Sequence, residues 1–427
     1  MTVFMRTSGR QWVERLIAVG AIALVGACGR GGQLASRGPA GRFGADVEFL
    51  QQHTRIVLLA DPSRAARVVV APEYQGRVMT STTGGSDAPS FGWIGRAAIA
   101  SGRRQPHMNV FGGEDRFWLG PEGGQYALFF TAGDPFDLDH WQTPEPIDWG
   151  AWDVVRQAPT AVAFRKRMTL RNYSGTRFDI EADRTVRLLT DTEIATDLGV
   201  APASEVRAVA FESSNAVTNR GKAPWEPHSG LVSVWILGQF TPSPETTIAL
   251  PITPGPESAL GPAVNDAYFG KVPADRLLVK DAIVFFRGDG QYRGKIGLPA
   301  SRALSLAGSY DAAAHALTLI QYTRPAHAFG YVNSMWARQD TPYAGDVINS
   351  YNDGPPAPGK PPLGPFYELE TSSPALDLAP GASYTHVHRT FHFAGPEAEL
   401  DRIARATLRI GLSELINAFG QRRAESR

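Results

Sequence analysis

Residues 112–124 read Gly-Gly-Glu-Asp-Arg-Phe-Trp-Leu-Gly-Pro-Glu-Gly-Gly. Carboxylates at Glu114, Asp115 and Glu122 flank Arg116 and the aromatics Phe117 and Trp118. Glycine pairs bracket the run, and glycine lets backbone approach a ligand or take positive φ. An aromatic face suits the C–H face of a sugar ring, while carboxylate and guanidinium suit its hydroxyls. The run is therefore expected to be a ligand-binding loop, with Glu114, Arg116, Trp118 and Glu122 as binding residues. The plainer reading is a structural loop whose charges pair with one another.

A second cluster lies near the C-terminus. In Phe-Tyr-Glu-Leu-Glu-Thr, residues 366–371, strand alternation puts Phe366, Glu368 and Glu370 on one face. In residues 384–393 it puts Tyr384, His386, His388, Thr390 and His392 on one face, and Thr385, Val387, Arg389, Phe391 and Phe393 on the other. The second face reads mainly as core. The first aligns imidazoles at a spacing of two, a pattern that suits an acid–base pair of His with Glu, a metal site, or the polar outer face of a strand. Arg77, at a strand start after Gly76, and His107 with Asn109, just before the glycine-rich run, are further candidates to line a pocket. So is Trp141, in a tryptophan-rich stretch from Gly133 to Trp152. Trp225, Glu226 and His228 form a weaker group in a turn.

These residues need a scaffold. From about residue 45 to 395 helical period is nearly absent. Runs such as Arg67–Ala71, Val162–Leu170, Phe178–Leu188, Leu277–Phe286 and Ala316–Tyr322 alternate or are β-branched, with Gly, Pro, Asn and Asp between them. Many short strands with turn signals predict an all-β sandwich or barrel. No fixed-period repeat is present, which argues against propellers and β-helices. Asn352 to Pro365 reads as a long Pro/Gly loop. After residue 395, Leu400, Ile403, Ala404, Leu408, Leu412, Leu415, Ile416 and Phe419 recur at helical spacing. Acidic residues come early and Arg422 and Arg423 late, so one amphipathic C-terminal helix over 396–427 is predicted.

The first 27 residues read as a targeting segment: Arg6, Arg10 and Arg15, then an apolar run, then Val25-Gly26-Ala27 before Cys28, the one cysteine of the chain. Cys28 resembles the lipidated cysteine of a bacterial lipoprotein, and Gly29 after it resembles the signal for outer-membrane sorting. The expected partner is therefore a membrane, reached through a lipid anchor at Cys28, with the protein in the cell envelope (periplasmic or surface face). Residues 28–44 read as a flexible tether, 45–395 as the β domain. A lone cysteine excludes an internal disulfide. A formal net charge of zero, with no basic tract beyond the targeting segment, makes nucleic acid an unexpected partner. No Walker loop, nucleophile elbow, zincin helix or dinucleotide fingerprint occurs.

Three stretches resemble the galactose-mutarotase-like superfamily, which implies a large two-layer β-supersandwich. They are Gln75-Gly76-Arg77, the Gly112–Gln125 region with Arg116, and Tyr367-Glu368-Leu369-Glu370 followed by Leu378-Ala379-Pro380-Gly381 and Thr385–Arg389. More closely, the string at 112–124 resembles the hallmark of a bacterial lipoprotein family of unknown function (family 6786). The superfamily resemblance implies a glutamate base and a histidine acid, roles that fall to Glu368 or Glu370 with His386 or His388. The superfamily's His-x-Tyr-Phe-Asn segment has no counterpart; the stretch around Trp225–Leu231 keeps His228 alone. The expectation is a carbohydrate ligand in a pocket built from Glu368, His386 and His388 as catalytic groups. Arg77, His107, Asn109, Glu114, Arg116, Trp118, Glu122, Trp141 and Glu370 are expected to bind substrate, with no cofactor and no metal. Acid–base chemistry of the epimerase or lyase type is expected if it is an enzyme. The alternatives are a non-catalytic glycan-binding or structural lipoprotein, and a metal-dependent hydrolase on His386 and His388.

Overall fold

A computed structural model describes residues 41–420. The targeting segment, Cys28 and residues 28–40 of the tether lie outside the described residues. The chain is dominated by antiparallel strands in sheets of three, five and ten.

The five-stranded sheet runs, edge to edge, through Gly294–Pro299, Asp346–Asn352, Tyr367–Ser372, Ser233–Phe240 and Arg116–Gly120. The ten-stranded sheet runs from Leu277–Lys280 at one edge to Asp153–Ala158 at the other. In its middle, the histidine strand Ser383–Ala394 lies between Ala316–Tyr322 and Arg207–Asn219. The two sheets form a sandwich. Side chains cross the gap directly: Tyr367 Oη lies 2.7 Å from Ser309 Oγ, and Thr371 Oγ1 lies 2.9 Å from both His386 Nε2 and His388 Nδ1.

Several local readings change. The Gly112–Gln125 run is not a loop throughout: Arg116–Gly120 is an edge strand paired with Ser233–Phe240. Gly113 before it has φ +107°, and a Cβ there would meet Val78 O and Arg77 Cδ at 2.7 Å, so the position needs glycine. Leu277–Phe286 is a hairpin, because Asp281 and Ala282 both take positive φ and turn the chain in two residues.

Helices occur where little helical period shows. Phe43–His53 lays Phe43 and Leu50 against Val69, Ala71 and Met79 of the three-stranded sheet. Asp191–Leu198 begins with a reciprocal capping box between Thr190 and Glu193.

The C-terminal segment is two helices, Glu397–Leu408 and Leu412–Asn417, not one. Arg409 takes φ 62°, and the Asp401 carboxylate accepts the Leu412 N–H at 2.7 Å to start the second helix. Leu400, Ile403 and Leu408 pack on Phe391 and Phe393, so the outer face of the histidine strand is covered by helix. The imidazole face is therefore the one that points into the sandwich.

Candidate functional site: an aromatic cleft on the five-stranded sheet

Cross-strand register decides which residues share a face of the five-stranded sheet. Trp118 pairs with Trp235, Arg116 with Leu237, Glu370 with Leu237 and Asn349, Glu368 with Gln239 and Tyr351, and Lys295 with Tyr351. All of these stand on one face. The opposite face, with Phe117, Ile236, Leu369 and Thr371, packs into the sandwich. The first face is the floor of a cleft of about 750 Å³, within the range of ligand sites. Its walls come from loops: Glu122, Trp141, Phe269 and Trp336 on one side, Trp93, Leu363 and Phe366 on another, with His107 and Leu138 at the rim.

The floor carries two ion pairs. Arg116 Nη2 donates to Glu368 Oε1 at 3.1 Å, and Gln239 Nε2 donates to the same oxygen at 2.8 Å. Among the described residues both of these bonds go to Oε1, and none is made to Glu368 Oε2. Lys295 Nζ donates to Glu370 Oε2 at 3.0 Å, and Trp235 Nε1 donates there at 2.9 Å. The cations also lie on aromatic faces: Arg116 is 4.0 Å from the Trp118 ring centroid, Lys295 4.6 Å from that of Trp235. Glu370 Oε1, Trp118 Nε1 and Gln239 Oε1 are buried without a hydrogen-bond partner among the described residues. Buried polar atoms are normally satisfied, so this floor holds more bonding capacity than the protein uses.

Burial sets the protonation of these groups. It pushes the Glu368 carboxyl up to about 7; the neighbouring Glu370 adds to this, and Arg116 and Lys295 pull against it. Glu122 is also raised, by burial first. For Lys295 burial disfavours the charge, but Glu370, Glu122 and Glu368 outweigh it and the pKa rises. A carboxyl poised near neutrality with a free oxygen on a cleft can take or give a proton at physiological pH.

A family model matches residues 41–419. The chain belongs to the Family of unknown function (DUF6786). The glycine-rich string at 112–124 and both carboxylates of the floor fall within the matched span. No curated protein matches the sequence. Similar solved structures include the Slr1438 protein from Synechocystis (13% identity, TM-score 0.47, 80% of this chain and 96% of that one). Another is a galactose mutarotase-like protein from Lactobacillus casei (11%, 0.44, 79% and 100%), and a third is a galactose mutarotase related enzyme from Lactobacillus acidophilus (9%, 0.44, 80% and 98%).

In this family member, six of the residues singled out in the sequence line the cleft: His107, Arg116, Trp118, Glu122, Trp141 and Glu368. Glu370 lies directly beneath, bonded to Lys295 and Trp235. The others are elsewhere. Arg77 is fully buried, donating to Gly112 O at 2.9 Å and Gln75 Oε1 at 3.1 Å, its pKa lowered to about 9 by burial and by Arg116. Asn109 donates to Asp148 Oδ2 at 2.6 Å and ties its loop to the short helix Glu145–Asp148. Glu114 pairs at 2.9 Å with His392, on which Phe91 stacks. Trp225 packs edge-on against Phe178, and Glu226 and His228 are exposed.

His386 and His388 do not reach the cleft. Both are fully buried behind the sheet, and burial lowers their pKa values to about 3 and about 4. They are neutral imidazoles in the core. One assignment leaves no ring N–H unpaired: His386 Nε2–H donates to Thr371 Oγ1, Thr371 donates to His388 Nδ1, and His388 Nε2–H faces Thr390 Oγ1 at 3.4 Å. Among the described residues no group of three or more His, Cys, Asp and Glu side chains is placed to hold a metal ion.

Sequence reasoning missed Trp235, Lys295, Arg293, Tyr351 and Trp336. Lys295 carried a signal, as a lysine inside the otherwise apolar run Gly294–Pro299. The rest look like ordinary strand and loop residues until the sheet is assembled.

Proposed function

We propose that the cleft binds a saccharide and that Glu368 exchanges a proton with a carbon of its ring, in the manner of an epimerase or lyase. One observation carries this: a buried carboxyl with a near-neutral pKa and an unpartnered oxygen sits at the floor of a tryptophan-walled cleft. Tryptophan faces supply the stacking surface for C–H bonds, and the ion-paired floor supplies donors and acceptors for hydroxyls. Glu122, kept above the ordinary carboxylate pKa by burial, is the second acid of the same cleft and takes the proton-donor role that the sequence had suggested for histidine.

The test is deuterium wash-in from heavy water into a panel of sugars, followed by NMR. Replacing Glu368 by Gln keeps the shape and removes the base, so the exchange rate is expected to fall by about 10²–10⁴ while binding persists. Binding without any exchange in the wild type would leave a glycan-binding protein and remove the catalytic part. We also propose export and a lipid anchor at Cys28, supported by the basic, apolar and small-residue order of residues 6–28. Cys28→Ser is expected to abolish fatty-acid labelling and release the protein from membranes.

A further inference from the structure

We infer that the saccharide is anionic, a uronic acid whose ring carboxylate is received by Arg293. The inference rests on the saccharide reading of the cleft and adds the class of ligand. Arg293 immediately precedes the strand Gly294–Pro299 that carries Lys295, and both residues line the cleft. Lys295 is taken by Glu370. Arg293 is not taken: among the described residues its guanidinium has no hydrogen bond and no ion pair. Its guanidinium carbon lies instead over Phe269, 3.7 Å from the ring centroid, and Phe269 in turn stands edge-on to Trp336 and Tyr351. The nearby Asp353 carboxylate is committed elsewhere, accepting from Tyr351 Oη at 2.6 Å and from Gly364 N at 2.8 Å.

The charge balance points the same way. Arg116 matches Glu368, Lys295 matches Glu370, and Arg96 at the rim is paired with Asp46. Burial disfavours charge on Glu122. Asp139 also lines the cleft and Asp353 lies within the field of Arg293, but among the described residues Arg293 is the Arg or Lys of the cleft lining that makes no ion pair. A guanidinium offers five N–H donors and no acceptor, in a fork that fits a carboxylate in two parallel bonds. A neutral sugar meets some of those donors; a carboxylate meets the fork and the charge together. The class also suits the proposed chemistry. A carboxylate attached to a ring carbon, once its charge is neutralised, acidifies the C–H of that carbon, and this is the proton a base like Glu368 would remove.

Matched pairs test it: galacturonate against galactose and glucuronate against glucose, with glucose 6-phosphate and glucose 6-sulfate as further anions. Binding to the full-length protein is followed by the fluorescence of the cleft tryptophans. The expected result is a preference for the uronate of about tenfold or more that shrinks with added salt. Arg293→Gln should erase that preference, lowering uronate affinity about tenfold and neutral-sugar affinity by much less; Arg293→Lys should restore part of it. Equal binding of acid and neutral sugars, unaltered by Arg293→Gln, overturns the inference while the saccharide reading stands. Preference for the phosphate or sulfate over both uronates overturns the carboxylate assignment. Failure of every sugar and anion to bind overturns both readings.

Discussion

The two faces of the five-stranded sheet both bury charged groups, and they use them in opposite ways. On the sandwich side, Arg184 gives Nη2 to Asp115 Oδ1 at 2.6 Å, Nη1 to Asn215 Oδ1 at 2.5 Å and Nε to Gly76 O at 3.0 Å. Glu114 bonds His392, and Thr371 bridges two neutral imidazoles. On the cleft side the pairs Arg116–Glu368 and Lys295–Glu370 lie at 3.1 and 3.0 Å, and Glu370 Oε1 is left over among the described residues, as Asp115 Oδ2 and His386 Nδ1 are on the sandwich side. Burial of titratable groups is therefore no mark of a site by itself. Spare polar atoms occur on both faces; what separates them is that Arg116, Trp118, Lys295 and Glu368 line a cleft.

That contrast can be broken in three ways. The largest effect is expected from Arg184→Ala, which strands Asp115 in the core. It should cost about 3–5 kcal/mol in denaturant unfolding while ligand binding per folded molecule stays unchanged. Loss of binding at full folding would show that the sandwich face does take part. Next, Thr371→Val leaves both imidazoles without their bridge and is expected to destabilise by about 1–3 kcal/mol, with Thr371→Ser recovering most of it.

The third is a pH effect from the cleft face. The folded state keeps the Glu368 proton up to about pH 7, and the unfolded chain loses it near the ordinary value of 4.5. Stability from this group is therefore present at low pH and declines as pH rises between those values. Relative to Glu368→Gln, the wild type should lose on the order of 2 kcal/mol between pH 5 and pH 8 in urea midpoints. Parallel curves would place the Glu368 pKa at its ordinary value and weaken its role as a base.

Much of this was legible in the chain. Alternation and turn residues gave a β-sandwich, and the spacing of Leu400, Ile403 and Leu408 gave a C-terminal helix. Residue types picked Arg116, Trp118, Glu122 and Glu368, which share the cleft. The histidines misled, because alternation says which residues share a face but not what covers it. Phe391 and Phe393 looked like the core face and are core, but under helices. The imidazoles, read as open to a ligand, are sealed between sheets.

By itself the sequence determined the periodicities, since these follow from local backbone geometry, and the chemical types at hand. It could not determine which face of which strand meets solvent. That is decided by pairing between residues as distant as Arg116 and Glu368, and by the packing of loops that wall the cleft. Arg293, a nondescript residue between a tyrosine and a glycine, gains its meaning from Phe269 beneath it and from an ion pair that its neighbour Lys295 has already made.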